Sequence, residues 1–230
     1  MHALPSRPTA IVFDFDGTLA DTRAIIVDSY REAFARVGIE CPGEQEISAT
    51  IGIPLASAFR ELTGADEELI DRAVEAYRDV FRLRGYEKVD AFPGMIQIVH
   101  ACQTAGFRMG IASSRSNQSL GGMVEHLGIA DCFEVIASRE DATNDKPHPE
   151  LLLSVISRMG LEPRQVLMIG DTTFDIEMGH AAGCLTCAVT WGNHNRTKLR
   201  SVHPTVLVDG AEAFEPLLGL GLGLRNDSLR

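Results

Sequence analysis

The sequence predicts an α/β protein: a parallel β-sheet core covered by helices on both faces, with a small helical domain inserted after the first strand. Three observations predict it. Short apolar runs rich in β-branched residues recur between helical patterns, at Ala10 to Phe13, Phe107 to Ala112, Phe133 to Ala137, Val166 to Ile169 and Leu185 to Val189. Strands that alternate with helices imply a parallel sheet buried on both sides. The alternation breaks once, between about Thr22 and Phe92, where only helical stretches appear. The length of 230 residues suits one principal core with a smaller insert better than two equal domains.

Taken in order, the first run leads straight into Asp14, and the insert follows. Ile26, Tyr30, Ala33, Phe34 and Val37 form one apolar stripe at helical spacing, and Leu69, Ile70, Ala73, Tyr77, Val80 and Phe81 form another. Phe92-Pro93-Gly94 punctuates the return and is expected to be part of a hinge. The expected division is therefore 1–21 with 93–230 as the core and 22–92 as the insert. Between Pro149 and Gly160 the apolar positions Leu152, Val155, Ile156 and Met159 keep helical spacing, with a glycine at the C-terminal end. There is no internal repeat, and the closing GLGLGLRNDSLR reads as a loosely held tail.

With 21 Lys and Arg against 32 Asp and Glu, the net charge is −11. This charge repels a nucleic-acid backbone and an anionic membrane surface, so neither is expected as a partner. An anionic substrate must instead meet a local positive centre, and a divalent cation in a carboxylate cluster would supply one. No stretch approaches the roughly 18 apolar residues of a membrane span, and MHALPSRPTA lacks the apolar run of a signal peptide. The expected location is cytoplasmic, as a monomer or homodimer. The five cysteines, an odd count, are expected as free thiols. Cys184 and Cys187 form a C-x-x-C, but in a strand residues three apart face opposite sides, which suits buried packing better than metal binding.

Chemistry concentrates at strand ends. AIVFDFDGTL places Asp14 and Asp16 directly after the first strand, where parallel sheets gather ligands, and Gly17 permits the turn that could bring both carboxylates to one site. GIASS puts Ser113 after the second strand, NDKPHPE carries Lys146, and VLMIGDTTFDI places Asp171 and Asp175 after the fourth. Lys146 is one of three lysines, with Lys88 and Lys198.

These four motifs, in this order, resemble those of the haloacid dehalogenase superfamily across nearly the whole chain, with 22–92 matching that family's helical cap. The resemblance implies a Rossmann-like core and Mg²⁺ as cofactor, held by Asp14, the backbone carbonyl of Asp16 and Asp171, with Asp175 binding through water or orienting the others. It makes Asp14 the nucleophile that is transiently phosphorylated and Asp16 the general acid, then base. Lys146 supplies fixed positive charge, Ser113 donates a hydroxyl hydrogen bond to a phosphoryl oxygen, and backbone N–H groups of the Phe15 to Gly17 turn complete the cradle. Ser114 and Arg115 are further candidates to touch substrate. Arg23, Arg31 and Arg60 could reach a second anionic group on it. His148 reads as a helix-start residue, and His180 and Trp191 as packing.

Within the superfamily, Asp16 favours phosphoryl transfer, because a departing halide needs no proton. A phosphonate-cleaving relative would place a Schiff-base lysine early in the cap, where this chain has only Lys88 near the end. A phosphomutase would carry a histidine ten residues after the acid, where Ile26 stands. The expected substrate is a small phosphorylated metabolite, a phosphoglycolate-like or sugar phosphate monoester, with pyrophosphatase or phosphomutase as alternatives. A non-catalytic binding protein on the same scaffold is the alternative of a different class. The loop Ile51-Gly52-Ile53-Pro54 is the candidate for setting specificity.

Overall fold

A computed structural model describes residues 4–221. Six strands form one sheet in the order β3-β2-β1-β4-β5-β6, all parallel: β1 (Ala10–Phe13), β2 (Arg108–Ala112), β3 (Val135–Ala137), β4 (Val166–Gly170), β5 (Leu185–Val189) and β6 (Val206–Val208). The first five are the predicted runs, two of them starting a residue or two later. β6 is an addition, a three-residue edge strand flanked by polar turns.

Alternate residues of each strand face opposite layers, as the pleat requires. Ile11, Phe13, Met109, Ile111, Leu167 and Ile169 pack in one apolar cluster with α5 (Met95–Thr104) and α6 (Asn117–His126). Ala10, Val12, Ala112, Val166 and Met168 pack in a second with α7 (Glu150–Arg158) and α8 (Thr173–Ala182). Cys187 belongs to the first cluster and Cys184 to the second, so the C-x-x-C does face both ways. All five cysteines are free, and burial pushes the Cys184 thiol up to about 12.

Four helices lie between β1 and α5: α1 (Arg23–Val37), α2 (Glu44–Ala49), α3 (Leu55–Thr63) and α4 (Glu67–Arg84). The two predicted apolar stripes are the facing sides of α1 and α4, where Tyr30 sits 4.8 Å from Phe59 and 4.9 Å from Tyr77, ring centre to ring centre. Asp66 caps α4 by accepting from the Leu69 N–H, and Gly38 ends α1 in a left-handed conformation. The two chain crossings between these helices and the sheet run side by side. Asp21 N–H donates to the Asp90 carbonyl at 2.9 Å and Phe92 N–H to the Leu19 carbonyl at 2.9 Å. The helices that follow β5 are short, α9 (Arg196–Ser201) and α10 (Phe214–Leu218). Of the expected loose tail, Leu220 packs against the core, and the part beyond Gly221 lies outside the described residues. Among the described residues no helix is long and apolar enough to cross a membrane.

Candidate active site

Strand order reverses between β1 and β4, and the crevice at their carboxyl ends is the ligand-binding position of an open parallel sheet. Asp14 leaves β1 there, its N–H donating to the Ile169 carbonyl at 2.8 Å, and Asp171 leaves β4 beside it. Asp175 enters from the first turn of α8. Its Oδ2 accepts from Thr172 N–H at 3.1 Å and Thr172 Oγ1 at 2.6 Å, a capping box that also places a carboxylate at the positive end of the helix. Its Oδ1 is left to meet Lys146 Nζ at 2.7 Å, and the same ammonium donates to Asp14 Oδ1 at 2.7 Å. Lys146 is fully buried in its side chain and Asp14 is 2% exposed.

Asp171 is oriented from the opposite side. Thr18 Oγ1 donates to its Oδ1 at 3.0 Å, and Asn193 donates to Oδ2 through its backbone N–H at 2.6 Å and its amide at 2.9 Å. Two glycines leave the space that Asp171 fills. A Cβ on Gly192 would lie 2.1 Å from Asp171 Oδ2, and one on Gly17, which also has φ +82°, would lie 2.3 Å from it.

One oxygen each from Asp14, Asp171 and Asp175 lie within 4.8 Å of one another. At that spacing each pair of charges repels by about 3–4 kcal/mol at an effective dielectric of ~20, and one ammonium cannot offset three carboxylates. Burial, then the neighbouring Asp175, raises the Asp171 carboxyl to about 7. Burial also raises Asp14 well above the usual carboxylate range, against the pull of Lys146. Burial alone would lower Lys146, but Asp14 and Asp175 outweigh it and hold the ammonium charged. Asp14 Oδ2 is buried without a hydrogen-bond partner. A cluster of hard oxygen donors with surplus negative charge and an orphaned carboxylate oxygen suits a small divalent cation such as Mg²⁺.

A second charged pair sits at the rim. Arg115 grips Asp16 with both arms of its guanidinium, Nε to Oδ2 at 3.0 Å and Nη2 to Oδ1. The side chains are only 8% and 13% exposed. Arg115 Nη1 donates to Ser119 Oγ at 2.7 Å, and the Phe81 ring of α4 lies 4.8 Å from the guanidinium carbon.

The structure thus gathers Asp14, Lys146, Asp171 and Asp175 into one buried cluster and places Asp16 beside it under Arg115. Ser113 is buried, with its Oγ accepting from the Arg115 N–H at 3.2 Å. Ser114 donates to the Gly52 carbonyl of the helical segment at 2.7 Å, and Gly52 packs on Thr172 and Phe174 so tightly that a Cβ would meet Thr172 Cγ2 at 3.1 Å. The predicted Ile51 to Pro54 loop therefore does reach the motif four loop.

The three arginines considered for a second anionic group all have partners in the structure, those of Arg23 beside Asp171. Arg23 holds the Gly192 carbonyl at 2.6 Å and Asn193 Oδ1 at 3.2 Å, Arg31 pairs with Asp28 and Glu44, and Arg60 pairs with Glu67. His148 is the expected helix-start residue, accepting from the Glu150 N–H at 3.3 Å. His180 is exposed and hydrogen-bonded to Thr186 rather than packed, and Trp191 packs between Phe92 and Phe214 while donating to the Thr18 carbonyl at 3.2 Å. Sequence reasoning missed Thr18, Thr172 and Asn193. Thr172 and Asp175 have capping-box spacing, and Asn193 follows β5 on the ligand-binding side of the sheet, so both carried a usable signal.

Comparison with known proteins gives this site its class. Residues 11–189 match the family described as haloacid dehalogenase-like hydrolase. The chain is 32% identical to "Probable phosphatase IndB" of Dickeya dadantii, covering 86% of this chain and 88% of that one. It is 30% identical to the pyrophosphatase PpaX of Oceanobacillus iheyensis, covering 91% and 96%, and 29% identical to the phosphoglycolate phosphatase of Salmonella choleraesuis, covering 91% and 92%. A solved haloacid dehalogenase-like family protein from Streptococcus pneumoniae superposes with a TM-score of 0.81 at 26% identity, covering 91% of this chain and 97% of that one. The chain belongs to the haloacid dehalogenase-like hydrolase family. It is an enzyme of that family and groups with its phosphatases.

Proposed function

We propose that the chain is a Mg²⁺-dependent phosphatase that hydrolyses small phosphate monoesters through an aspartyl phosphate on Asp14. The observation that carries this reading is the Asp14 carboxylate itself: one oxygen is fixed by Lys146, the other is buried and unpartnered, and the group lies in a cluster of three buried carboxylates. Asp14, Asp171 and the Asp16 carbonyl would hold the ion, with Asp175 binding through water or orienting them. Bound there, Mg²⁺ would offset the repulsion between the carboxylates and an incoming phosphate.

Asp14 attacks phosphorus, the bond from phosphorus to the leaving oxygen breaks, and Asp16 delivers a proton to the departing alkoxide. Water then attacks the acyl phosphate, Asp16 takes its proton, and phosphate leaves with the Asp14 carboxylate restored. Lys146 keeps Asp14 aligned and balances charge on the phosphoryl oxygens, and Ser113 is positioned to donate to one of them. We further assign residues 22–92 as a cap over the crevice, a division supported by the paired crossings at Leu19 to Asp21 and Asp90 to Phe92 and by the docking of Gly52 on the site. The relatives named pyrophosphatase favour pyrophosphate as a second substrate to test.

The test is hydrolysis of p-nitrophenyl phosphate with Mg²⁺ and after chelation, together with acid quench of the enzyme on labelled substrate. Turnover should require the ion, and Asp14→Asn should remove both turnover and the phosphoenzyme, which as an acyl phosphate survives the acid quench and is released by base or hydroxylamine. A phosphoenzyme that persists in that variant would place the nucleophile elsewhere. Asp16→Asn should cost alkyl phosphates more than aryl phosphates, whose leaving groups need no proton.

A further inference from the structure

We propose that Arg115 is a substrate-recognition residue that selects phosphates carrying a second anionic group, and that this group takes the guanidinium from Asp16. The inference rests on the phosphatase reading above and narrows its substrate class.

The argument starts from what Asp16 must do. In the structure both of its oxygens are occupied by one guanidinium. A carboxyl group that carries a proton to a leaving oxygen cannot also accept from both arms of that fork, so the pair must part before Asp16 can act as an acid. Parting is unfavourable for the residue left behind. Arg115 is 8% exposed, its other contacts, the Ser119 hydroxyl and the Phe81 ring, are uncharged, and the nearby Asp14 carboxylate is already paired with Lys146. Removing one partner of a buried ion pair strands the other charge. A replacement anion has to arrive with the substrate.

Lys146 is committed to Asp14 and Asp175, and Arg31 and Arg60 pair with carboxylates of the helical segment. Arg23, exposed beside Asp171, is held only by neutral oxygens of Gly192 and Asn193. Arg115 by contrast lies within the field of Asp14, two residues past Ser113. Its planar fork, held by Ser119 and the face of Phe81, matches a carboxylate or a phosphate in the geometry it now offers Asp16. One exchange then does two things: it recognises the far end of the substrate and frees the proton carrier at the near end. A phosphate ester with an uncharged leaving group would have to free Asp16 unaided.

The experiment compares phosphoglycolate with ethyl phosphate, which has a similar reach and no second charge, at saturating Mg²⁺. The wild-type enzyme should favour phosphoglycolate in kcat/KM by about 30-fold or more, the scale of a buried charge pair. Arg115→Met should bring that ratio to within about threefold of one, chiefly by raising KM for phosphoglycolate, while ethyl phosphate turnover rises because Asp16 is no longer held. Equal treatment of the two substrates by the wild type would overturn the proposal, as would an equal loss on both in Arg115→Met, which would leave Arg115 only a positioning residue for Asp16. If Arg115→Met lacks a cooperative melting transition, Arg115→Lys, which keeps the charge without the fork, replaces it. An intermediate ratio then supports the proposal and an unchanged one opposes it. Failure of the wild type to hydrolyse either ester and p-nitrophenyl phosphate would instead overturn the phosphatase reading itself, a result distinct from equal activity on both.

Discussion

Two buried ion pairs stand side by side in this crevice, and they are built differently. Lys146 meets Asp14 from the end of β1 and Asp175 from the capped first turn of α8, whose carboxylate is also fixed by the Thr172 N–H and hydroxyl. Arg115 and Asp16 lie at the rim, slightly more exposed, and the ring that covers them belongs to α4 in the helical segment. The first pair takes both of its carboxylates from the end of β1 and the start of α8. The second is covered by a ring from α4, beyond the elements that carry its two charges. Similar chemistry can therefore serve as fixed scaffolding in one place and as an exchangeable contact a few residues away.

The strongest way to break this contrast is Lys146→Met. It strands two carboxylates already crowded by Asp171, so turnover should fall by ~10³-fold or more and stability by about 3 kcal/mol. Urea denaturation alongside kinetics checks both, and a variant as stable as the parent would mean the pair is not structural. Protons probe the same centre. In the metal-free protein Asp171 holds its proton up to about 7 against an ordinary 3.8. The stability this contributes is complete below about pH 4 and is lost as pH rises through about 7. The melting temperature without metal should therefore fall across that window, and added Mg²⁺ should raise it far more at pH 8 than at pH 5; equal gains at both would contradict the assignment.

Asp175→Asn separates the helix cap from the charge. The amide can still accept from Thr172, so stability should change by less than about 1 kcal/mol, while activity falls by ~10- to 100-fold because Lys146 loses one partner. A collapse in stability instead would show that the charge, not the cap, holds α8. The smallest effect is expected from Phe81→Leu, which removes the aromatic face from Arg115 and should change the phosphoglycolate to ethyl phosphate ratio by less than about fivefold. No change at all would put the rim pair in the same fixed category as Lys146.

Much of this was readable before any coordinates. Strands β1 to β5 declared themselves by β-branched runs bounded by glycine and charge, and Asp14, Asp171, Asp175 and Lys146 by their places at strand ends. β6 was hidden because three apolar residues at a sheet edge have too little pattern to stand out from a loop. The bond of Ser114 to the Gly52 carbonyl and the exposure of His180, expected to pack, were not legible, because side-chain direction in a loop or at a helix end depends on neighbours distant in sequence. The grip of Arg115 on Asp16 spans 99 residues, and no local spacing encodes it.

The two crossings between sheet and helical segment carry a mechanical consequence. Asp21 to Asp90 and Phe92 to Leu19 bond the outgoing and returning chain to each other, one hydrogen bond in each direction. Two free tethers would let the attached body translate as well as turn. Two tethers laced together would act as one narrow strap, so any movement of α1 to α4 against the sheet would turn about it more readily than slide. Phe81 would then leave Arg115 along an arc and return to the same place.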